Sequence, residues 1–165
     1  MKTVLKLVLL AALIALGVWL WLMLFPSPEK VIRHRLMKLA QKLSFSSSEG
    51  ALARIASVES VGGFFATNVE VNIDVPGRVQ HSFLGRAEIT QAVLASRSAV
   101  SGLRVKFPDV NVTVMPDKQN ATADLTLDAS VSGETDAIVQ EIKVTLIKVD
   151  GQWLITHIET VRTLS

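Results

Sequence analysis

The chain contains no cysteine and no tyrosine, and its three histidines are far apart. Without cysteine there is no disulfide framework, no thiol nucleophile and no thiolate metal site. The chain has no G-x-S-x-G nucleophile elbow and no glycine-rich phosphate loop, and the histidines at 34, 81 and 157 lack metal-binding spacing. We therefore expect neither a metal nor a cofactor. The lack of cysteine is compatible with an oxidising compartment but does not require one.

The net charge of the whole chain differs in sign from that of the folded domain, because basic residues are concentrated near the N-terminus. The whole sequence has a pI near 9.1 and a formal net charge of +2. From Ser44 to Ser165, ten Lys and Arg stand against fourteen Asp and Glu, which is a net charge of −4. A phosphate backbone gains little from an acidic surface, so we exclude nucleic acid as a partner.

The longest uncharged stretch is LVLLAALIALGVWLWLMLF, nineteen residues at positions 7–25 that include no proline. At ~1.5 Å per residue, one helix of this length crosses ~30 Å of hydrocarbon. We therefore predict a transmembrane anchor over residues 1–25. Trp19, Trp21 and Phe25 fit an aromatic belt at the membrane interface, and the Pro-Ser-Pro sequence that follows ends the helix.

A cleaved signal peptide is the alternative interpretation of the same stretch. Lys2 and Lys6 provide a basic start, and Ala15-Leu16-Gly17 loosely resembles a cleavage site. Cleavage there would leave two tryptophans and several other apolar residues on the new N-terminus. The run is also longer than the ~7–15 apolar residues of a usual signal peptide. We favour an anchor that stays attached, which locates the protein in the cell membrane as a single-pass protein.

Basic residues follow the predicted anchor on a stretch with helical periodicity. Ile32, Leu36, Leu39 and Leu43 recur at the spacing of one helix face. Residues 26–48 are therefore predicted to form a juxtamembrane amphipathic helix and a linker. Its apolar face packs in the core, and its basic face contacts anionic lipid headgroups. The predicted interface residues of this helix are Lys30, Arg33, Arg35, Lys38 and Lys42.

Two features of the sequence predict opposite sides of the membrane for the soluble domain. Five basic residues after the apolar run, against two before it, favour a cytoplasmic domain by the positive-inside rule. A short lysine-containing tail before a long apolar run is typical of a signal anchor, and large domains cross regardless of charge. We expect the soluble domain on the exported, periplasmic side.

Residues 49–165 complete the same domain and combine helical with alternating patterns. The second predicted helix starts at Ser48-Glu49, carries Leu52, Ile55 and Val58, and ends at Gly62-Gly63. The other predicted elements are a strand (64–75), a turn at Pro76-Gly77, a partner strand (79–84), a third helix (86–100) and four further strands (103–115, 121–132, 138–149 and 153–164).

These elements predict an α+β fold with a curved antiparallel sheet of about six strands. One apolar face of such a sheet must be covered, and the three helices are the available cover. Asp124 and Asp128 alternate with Ala123 and Leu125, which predicts a solvated outer face for this part of the sheet.

Three stretches carry a resemblance to a known group: FFATNV at 64–69, GRAEI at 85–89 and KVDGQWLI at 148–155. Over roughly residues 30–164 the chain resembles the nuclear transport factor 2-like superfamily, with its SnoaL-like and ketosteroid-isomerase-like members. The resemblance implies a cystatin-like cone with a pocket that some members use for catalysis and others only for binding or dimerisation. It also implies that membrane-anchored members serve as assembly components of larger envelope machines.

Asp74 and His157 are the two candidate catalytic residues. Asp74 ends the first predicted strand, near the position where the resemblance implies a catalytic Asp, although an Asp before Pro-Gly more often caps the turn. His157 alternates in step with Trp153 and Ile155, which predicts a position on the concave face, where a His can act as an acid or base. The phenolic donor of the isomerase-like members is missing, because the chain has no Tyr. The sequence therefore favours a domain that is not an enzyme.

Two functions from different classes remain open. The first is a non-catalytic accessory or scaffold subunit of a larger membrane complex, in contact with lipid and with a membrane-protein partner. The second is a membrane-tethered small-molecule-binding protein, or an isomerase-like or dehydratase-like enzyme, that uses the cone pocket. A homodimer paired through the outer sheet face lies between them. A pocket filled by Phe64, Phe65 or Trp153 favours the first function, and converging buried polar groups favour the second.

Overall fold

The structure, a computed structural model, describes residues 12–17, 19, 26–74 and 81–161. Residues 12–17 and Trp19 are helical. Among the described residues, none of the helices has the length and apolar character needed to cross a membrane. Most of the predicted anchor over residues 7–25 lies outside the described residues, and so does the predicted turn at Pro76-Gly77.

Beyond those helical residues, the described part of the chain forms three helices and seven strands. The helices are α1 (Pro28–Leu43), α2 (Ala51–Gly62) and α3 (Arg86–Ala99). The strands are β1 (Phe65–Ile73), β2 (His81–Leu84), β3 (Leu103–Lys106), β4 (Val110–Val114), β5 (Asn120–Val131), β6 (Ala137–Val149) and β7 (Gln152–Thr160).

All seven strands belong to one sheet with the order β2-β1-β7-β6-β5-β3, and β4 also pairs with β5. Neighbouring strands run antiparallel except β1 and β7, which are parallel. The α+β fold is confirmed, and the sheet has seven strands instead of about six, with one parallel pair among otherwise antiparallel neighbours. Parallel neighbours need a long connection, and α3 with the intervening strands supplies it here.

The additional strand arises because the predicted strand over residues 103–115 is interrupted at Phe107-Pro108-Asp109. Pro108 has no amide hydrogen to donate to the sheet, so the strand breaks around it. The long strand β5 pairs with both pieces: its residues 128–131 pair with β3 and its residues 121–125 pair with β4.

Two of the predicted hairpin turns have the backbone geometry that their sequences favour. Asp150 and Gly151, between β6 and β7, both have positive φ, 49° and 78°, as a type I′ turn requires. Between β4 and β5, the carboxylate of Asp117 accepts hydrogen bonds from the amides of Gln119 and Asn120. These bonds, first of all the one from Gln119, lower the pKa of Asp117.

One hydrophobic cluster fills the space between the helices and one face of the sheet. Ile32, Leu36 and Leu39 of α1 are buried in it, which confirms the predicted apolar face of this helix. Ala123 and Leu125 of β5 are also buried there. The alternation predicted for β5 is therefore confirmed, and its acidic residues lie on the opposite face.

The helix α2 is less buried than the other two. It packs mainly against α1 and α3 and buries Val61. Leu52 and Ile55, which helped to predict this helix, are 85% and 62% exposed. The helix also starts later than predicted, at Ala51, and the carboxylate of Glu49 before it accepts hydrogen bonds from Ser57 of α2 and Arg97 of α3.

Leu146 of β6 is 0% exposed and pairs with Ile155 of β7 inside the hydrophobic cluster. We expect Leu146→Ala to lower the free energy of unfolding by ~2–5 kcal/mol, because it removes buried methyl groups and leaves a cavity. Leu52→Ala, the same change at an exposed position, should alter it by less than ~0.5 kcal/mol. Urea unfolding of the full chain in a mild detergent, followed by circular dichroism, measures both. Equal effects would contradict the assigned core.

Candidate functional site

Asp74 lies directly after β1, at the end of the sheet where β1 and β7 end together. Its backbone amide donates a hydrogen bond to Oγ1 of Thr160, at 3.1 Å. This contact joins the ends of the two parallel strands. The turn-capping hypothesis for Asp74 concerns Pro76-Gly77 and stays a prediction, because those two residues lie outside the described part of the chain.

His157 lies on the opposite sheet face from Trp153 and Ile155, so the prediction that it shares their face is wrong. Leu146 of β6 pairs with Ile155, but the preceding residue, Thr145, pairs with His157. Thr156 is therefore an extra residue, a β-bulge, and its hydroxyl donates to the carbonyl of Thr145 at 3.2 Å. Such a shift moves the following side chains to the other face.

Downstream of the bulge, Ile158 packs against the hydrophobic cluster and His157 points away from it. Nδ1 of His157 lies 3.8 Å from Oε2 of Glu70, and Nε2 lies 3.7 Å from Oε2 of Glu159. The His157 side chain is 32% exposed. It is therefore a surface His between two carboxylates, and the described part of the chain has no cluster of His, Asp and Glu able to hold a metal ion.

Aromatic side chains fill the space where a cone pocket would lie. Phe64, Phe65 and Trp153 are 8%, 4% and 2% exposed, and all three belong to the hydrophobic cluster. Nζ of Lys148 lies 6.0 Å from the centroid of the Trp153 ring, at the edge of this cluster. Neither a buried carboxylate nor a buried His is part of the cluster among the described residues.

The predicted interface residues of α1 separate into two groups. Lys30, Arg33, Lys38 and Lys42 are exposed. Arg35 is directed to the protein body instead: its Nη2 donates to the carbonyl of Gly63 at 2.7 Å, and its guanidinium stacks 4.9 Å from the centroid of the Phe64 ring. Burial lowers the pKa of Arg35, which still leaves it a cation at physiological pH.

The exposed side of α1 also carries apolar residues between its basic ones. Val31 and Met37 are 38% and 46% exposed. Of the predicted aromatic belt, Trp19 is 60% exposed, whereas Trp21 and Phe25 lie outside the described residues. The exposed side of α1 therefore combines cations with apolar side chains.

Arg97 of α3 is a buried cation that the sequence patterns did not predict. It is 4% exposed, forms an ion pair with the carboxylate of Glu49, and donates to the carbonyl of Lys42 at 2.7 Å. Its guanidinium also lies 4.8 Å from the centroid of the Phe45 ring. Arg97 therefore ties α3 to the segment between α1 and α2. Its spacing of eight residues from the buried Ile89 was the available signal.

A groove between α2 and α3 was also missed. It has a volume of about 850 Å³ and lies outside the filled space of the cone. The two helices contribute most of its walls, and the glycines at 62, 63 and 85 form part of its surface. The sequence predicts both helices, but it does not predict how α2 packs against α3, and this packing forms the groove.

No protein-family model matches the chain, and no curated protein sequence matches it. Solved structures match it at low identity. An NTF2-like protein of unknown function from Pseudomonas putida has a TM-score of 0.62 and 14% identity, over 83% of this chain and 87% of that one. A proposed scytalone dehydratase from Novosphingobium aromaticivorans has a TM-score of 0.58 and 15% identity, over 81% and 83%. The yeast UBP3-associated protein BRE5 has a TM-score of 0.60 and 12% identity, over 84% and 100%.

The chain has the nuclear transport factor 2-like fold. The same fold is also described as cystatin-like. Identities this low establish the fold alone, and a fold does not determine a function. One of these neighbours is described as an enzyme, the proposed dehydratase, and another as a protein that associates with UBP3. The function of this chain therefore has to be argued from its own side chains.

The bulge at Thr156 can be tested with two adjacent substitutions. We expect His157→Gln to change the free energy of unfolding by less than ~0.5 kcal/mol, because the side chain is on the surface. Ile158→Asn should lower it by ~1–3 kcal/mol, because an amide then faces the hydrophobic cluster without a partner. Urea unfolding of both variants measures the difference. A larger loss for His157→Gln than for Ile158→Asn would mean that β7 has no bulge.

Proposed function

We propose that the chain is a single-pass, membrane-anchored accessory or scaffold subunit of a larger membrane complex, and that it is not an enzyme. The main support for a non-catalytic role is that Phe64, Phe65 and Trp153 occupy the interior of the cone. Acid–base catalysis in this fold needs a cavity in which a titratable group meets the substrate. The candidate His157 lies on the other face of the sheet, which supports a non-catalytic role.

The anchor in this proposal is the apolar run over residues 7–25. Its described large side chains belong to helical residues, and each is more than half exposed. A helix with apolar side chains on all sides needs lipid or protein to cover them. These exposed side chains are Leu13 (65%), Ile14 (59%), Leu16 (53%) and Trp19 (60%). They support an embedded helix that holds the domain beside the bilayer.

Charge on the outer sheet face favours another membrane protein over a second copy as the partner. Glu159 of β7, Lys143 of β6 and Asp124 of β5 form one row across three neighbouring strands. Stable homodimer interfaces are more apolar than the average protein surface, and this row is charged. An accessory role also has a precedent on this fold, since the yeast neighbour is described as a UBP3-associated protein. We place the soluble domain on the exported side, as the signal-anchor pattern favours.

Co-purification tests the accessory role directly. We expect the full chain, tagged at its C-terminus and extracted in a mild detergent, to carry a companion membrane protein at a fixed stoichiometry. We also expect the chain to stay in the membrane fraction after a carbonate wash, because a spanning helix is released only by detergent. A control in which residues 1–25 are replaced by a cleavable export signal should lose both properties. Recovery of the chain alone would contradict the accessory role, and release by carbonate would contradict the anchor.

The exposed basic residues of α1 should give the chain a preference for anionic lipid. We expect Lys30→Gln combined with Lys38→Gln to reduce the share of phosphatidylglycerol among bound lipids, at ~1 kcal/mol per residue. Native mass spectrometry of the full chain, released from mixed phosphatidylcholine and phosphatidylglycerol nanodiscs, measures this share. Lys106→Gln combined with Lys118→Gln is the control, because both residues are exposed and the charge change is the same. An equal effect of the two pairs would rule out a specific role for α1.

A further inference from the structure

The groove between α2 and α3 has the dimensions of a small-molecule site. Its volume of about 850 Å³ lies within the ~300–1,000 Å³ typical of ligand pockets. Ile55 and Val58 of α2 line one wall, and Ala87 and Leu94 of α3 line the other. The groove is separate from the filled interior of the cone, so it can hold a ligand without any change in the core.

Exposed apolar residues extend along the groove. Ile55 of α2 is 62% exposed, Leu94 of α3 is 48% exposed, and both line the groove. Single exposed apolar residues are ordinary, but a contiguous group of them around a concave surface is characteristic of a binding site. This group favours an extended hydrocarbon ligand.

Close contact between the two helices closes one end of the groove. A Cβ atom at Gly62 would lie 3.0 Å from Cγ2 of Thr90, a tight contact, so glycine favours this close approach of α2 to α3. The aliphatic part of Arg86 packs at the same place, with its Cδ 3.7 Å from that Cβ position. Arg86 therefore brings a cationic side chain to the lining of the groove, next to this helix contact.

The guanidinium of Arg86 has one donor atom, Nε, without a protein partner in the described part of the chain. Its Nε is fully shielded from solvent and makes no hydrogen bond. A shielded, unpaired charged donor costs free energy that an anionic ligand would recover. Arg86 is also the first residue of α3, where the helix dipole favours negative charge. Charge and shape thus point to an anion that carries an apolar tail.

We propose that this groove binds a single-chain amphiphile with a carboxylate head, of the long-chain fatty acid class. The hydrocarbon lies between Ile55, Val58 and Leu94, and the carboxylate pairs with Arg86. Glu59 also lines the groove and is exposed, so it opposes additional negative charge on the ligand. This selects a head group with one charge. Binding at this groove requires no protein partner.

A photoreactive ligand tests this site in the full chain. The protein is reconstituted in phosphatidylcholine nanodiscs, irradiated with a palmitate that carries a diazirine in its chain, and digested for peptide mapping. We expect adducts on the α2 and α3 peptides that contain Ile55 and Leu94. Unlabelled palmitate should compete for these adducts, and hexadecanol, which has the same chain without the charge, should compete at least ~10-fold less well, because it lacks the charge-assisted bond.

Three substitutions identify the contacts that matter. Arg86→Gln should lower the adduct yield by about tenfold, because the charge-assisted bond to the carboxylate is lost. Arg54→Gln is the matched control on α2, since the Nε of Arg54 already donates to the carbonyl of Glu49, and it should leave the yield unchanged. Ala87→Trp fills the groove at an exposed position and should abolish the adducts, with circular dichroism confirming the fold.

Several outcomes would overturn the proposal. Equal competition by hexadecanol, or an unchanged yield in Arg86→Gln, would remove the role of the carboxylate. Competition by phosphatidylglycerol but not by palmitate would assign the groove to a phospholipid headgroup instead. A benzoylphenylalanine placed at Ile55 that crosslinks in cells to a second copy or to another polypeptide would assign the groove to a protein.

Discussion

The packing of α1 against the sheet is the contact on which the rest of the structure depends. Ile32, Leu36 and Leu39 are buried by it, and α1 covers β3 and β4. Burial of apolar area at ~25 cal/mol per Å² is the main favourable term of such a small domain. The same helix begins at Pro28, three positions after the end of the predicted anchor. Because the apolar face of α1 is buried in the core, the basic side of this helix is fixed relative to the rest of the domain.

The arrangement of the helices explains why the chain keeps exposed apolar surface. α1 and α3 contact strands, whereas α2 packs mainly on those two helices. A helix in this second layer buries one edge only, so the apolar residues on its other sides stay exposed unless a ligand covers them. Arg97 fixes this layer, because its buried guanidinium joins α3 to Glu49 and to the carbonyl of Lys42. The groove is therefore a consequence of how the helices are stacked.

Sequence patterns predicted the elements well because their periods are local. The spacing of Ile32 and Leu36 identified α1, and the alternation along β5 identified its buried face. The face of His157 could not be predicted in this way, because one bulged residue at Thr156 reverses the alternation and bulges have no distinctive composition. Pro108, by contrast, was visible in the sequence and accounts for the break between β3 and β4. Arg97 was missed because a charged residue in a helix is normally solvated.

A protein with this fold can bind a ligand inside the cone only if the concave face of its sheet is open and not filled by side chains. In this chain Phe64 and Phe65 are consecutive and both buried, and Trp153 is buried in the same cluster. Replacing these buried aromatic side chains with small ones would remove contacts that stabilise the domain. The surfaces outside this interior include the exposed basic side of α1 and the α2–α3 groove, which Arg86 lines. Both carry cations, and the proposals above assign negatively charged, lipid-like molecules to both.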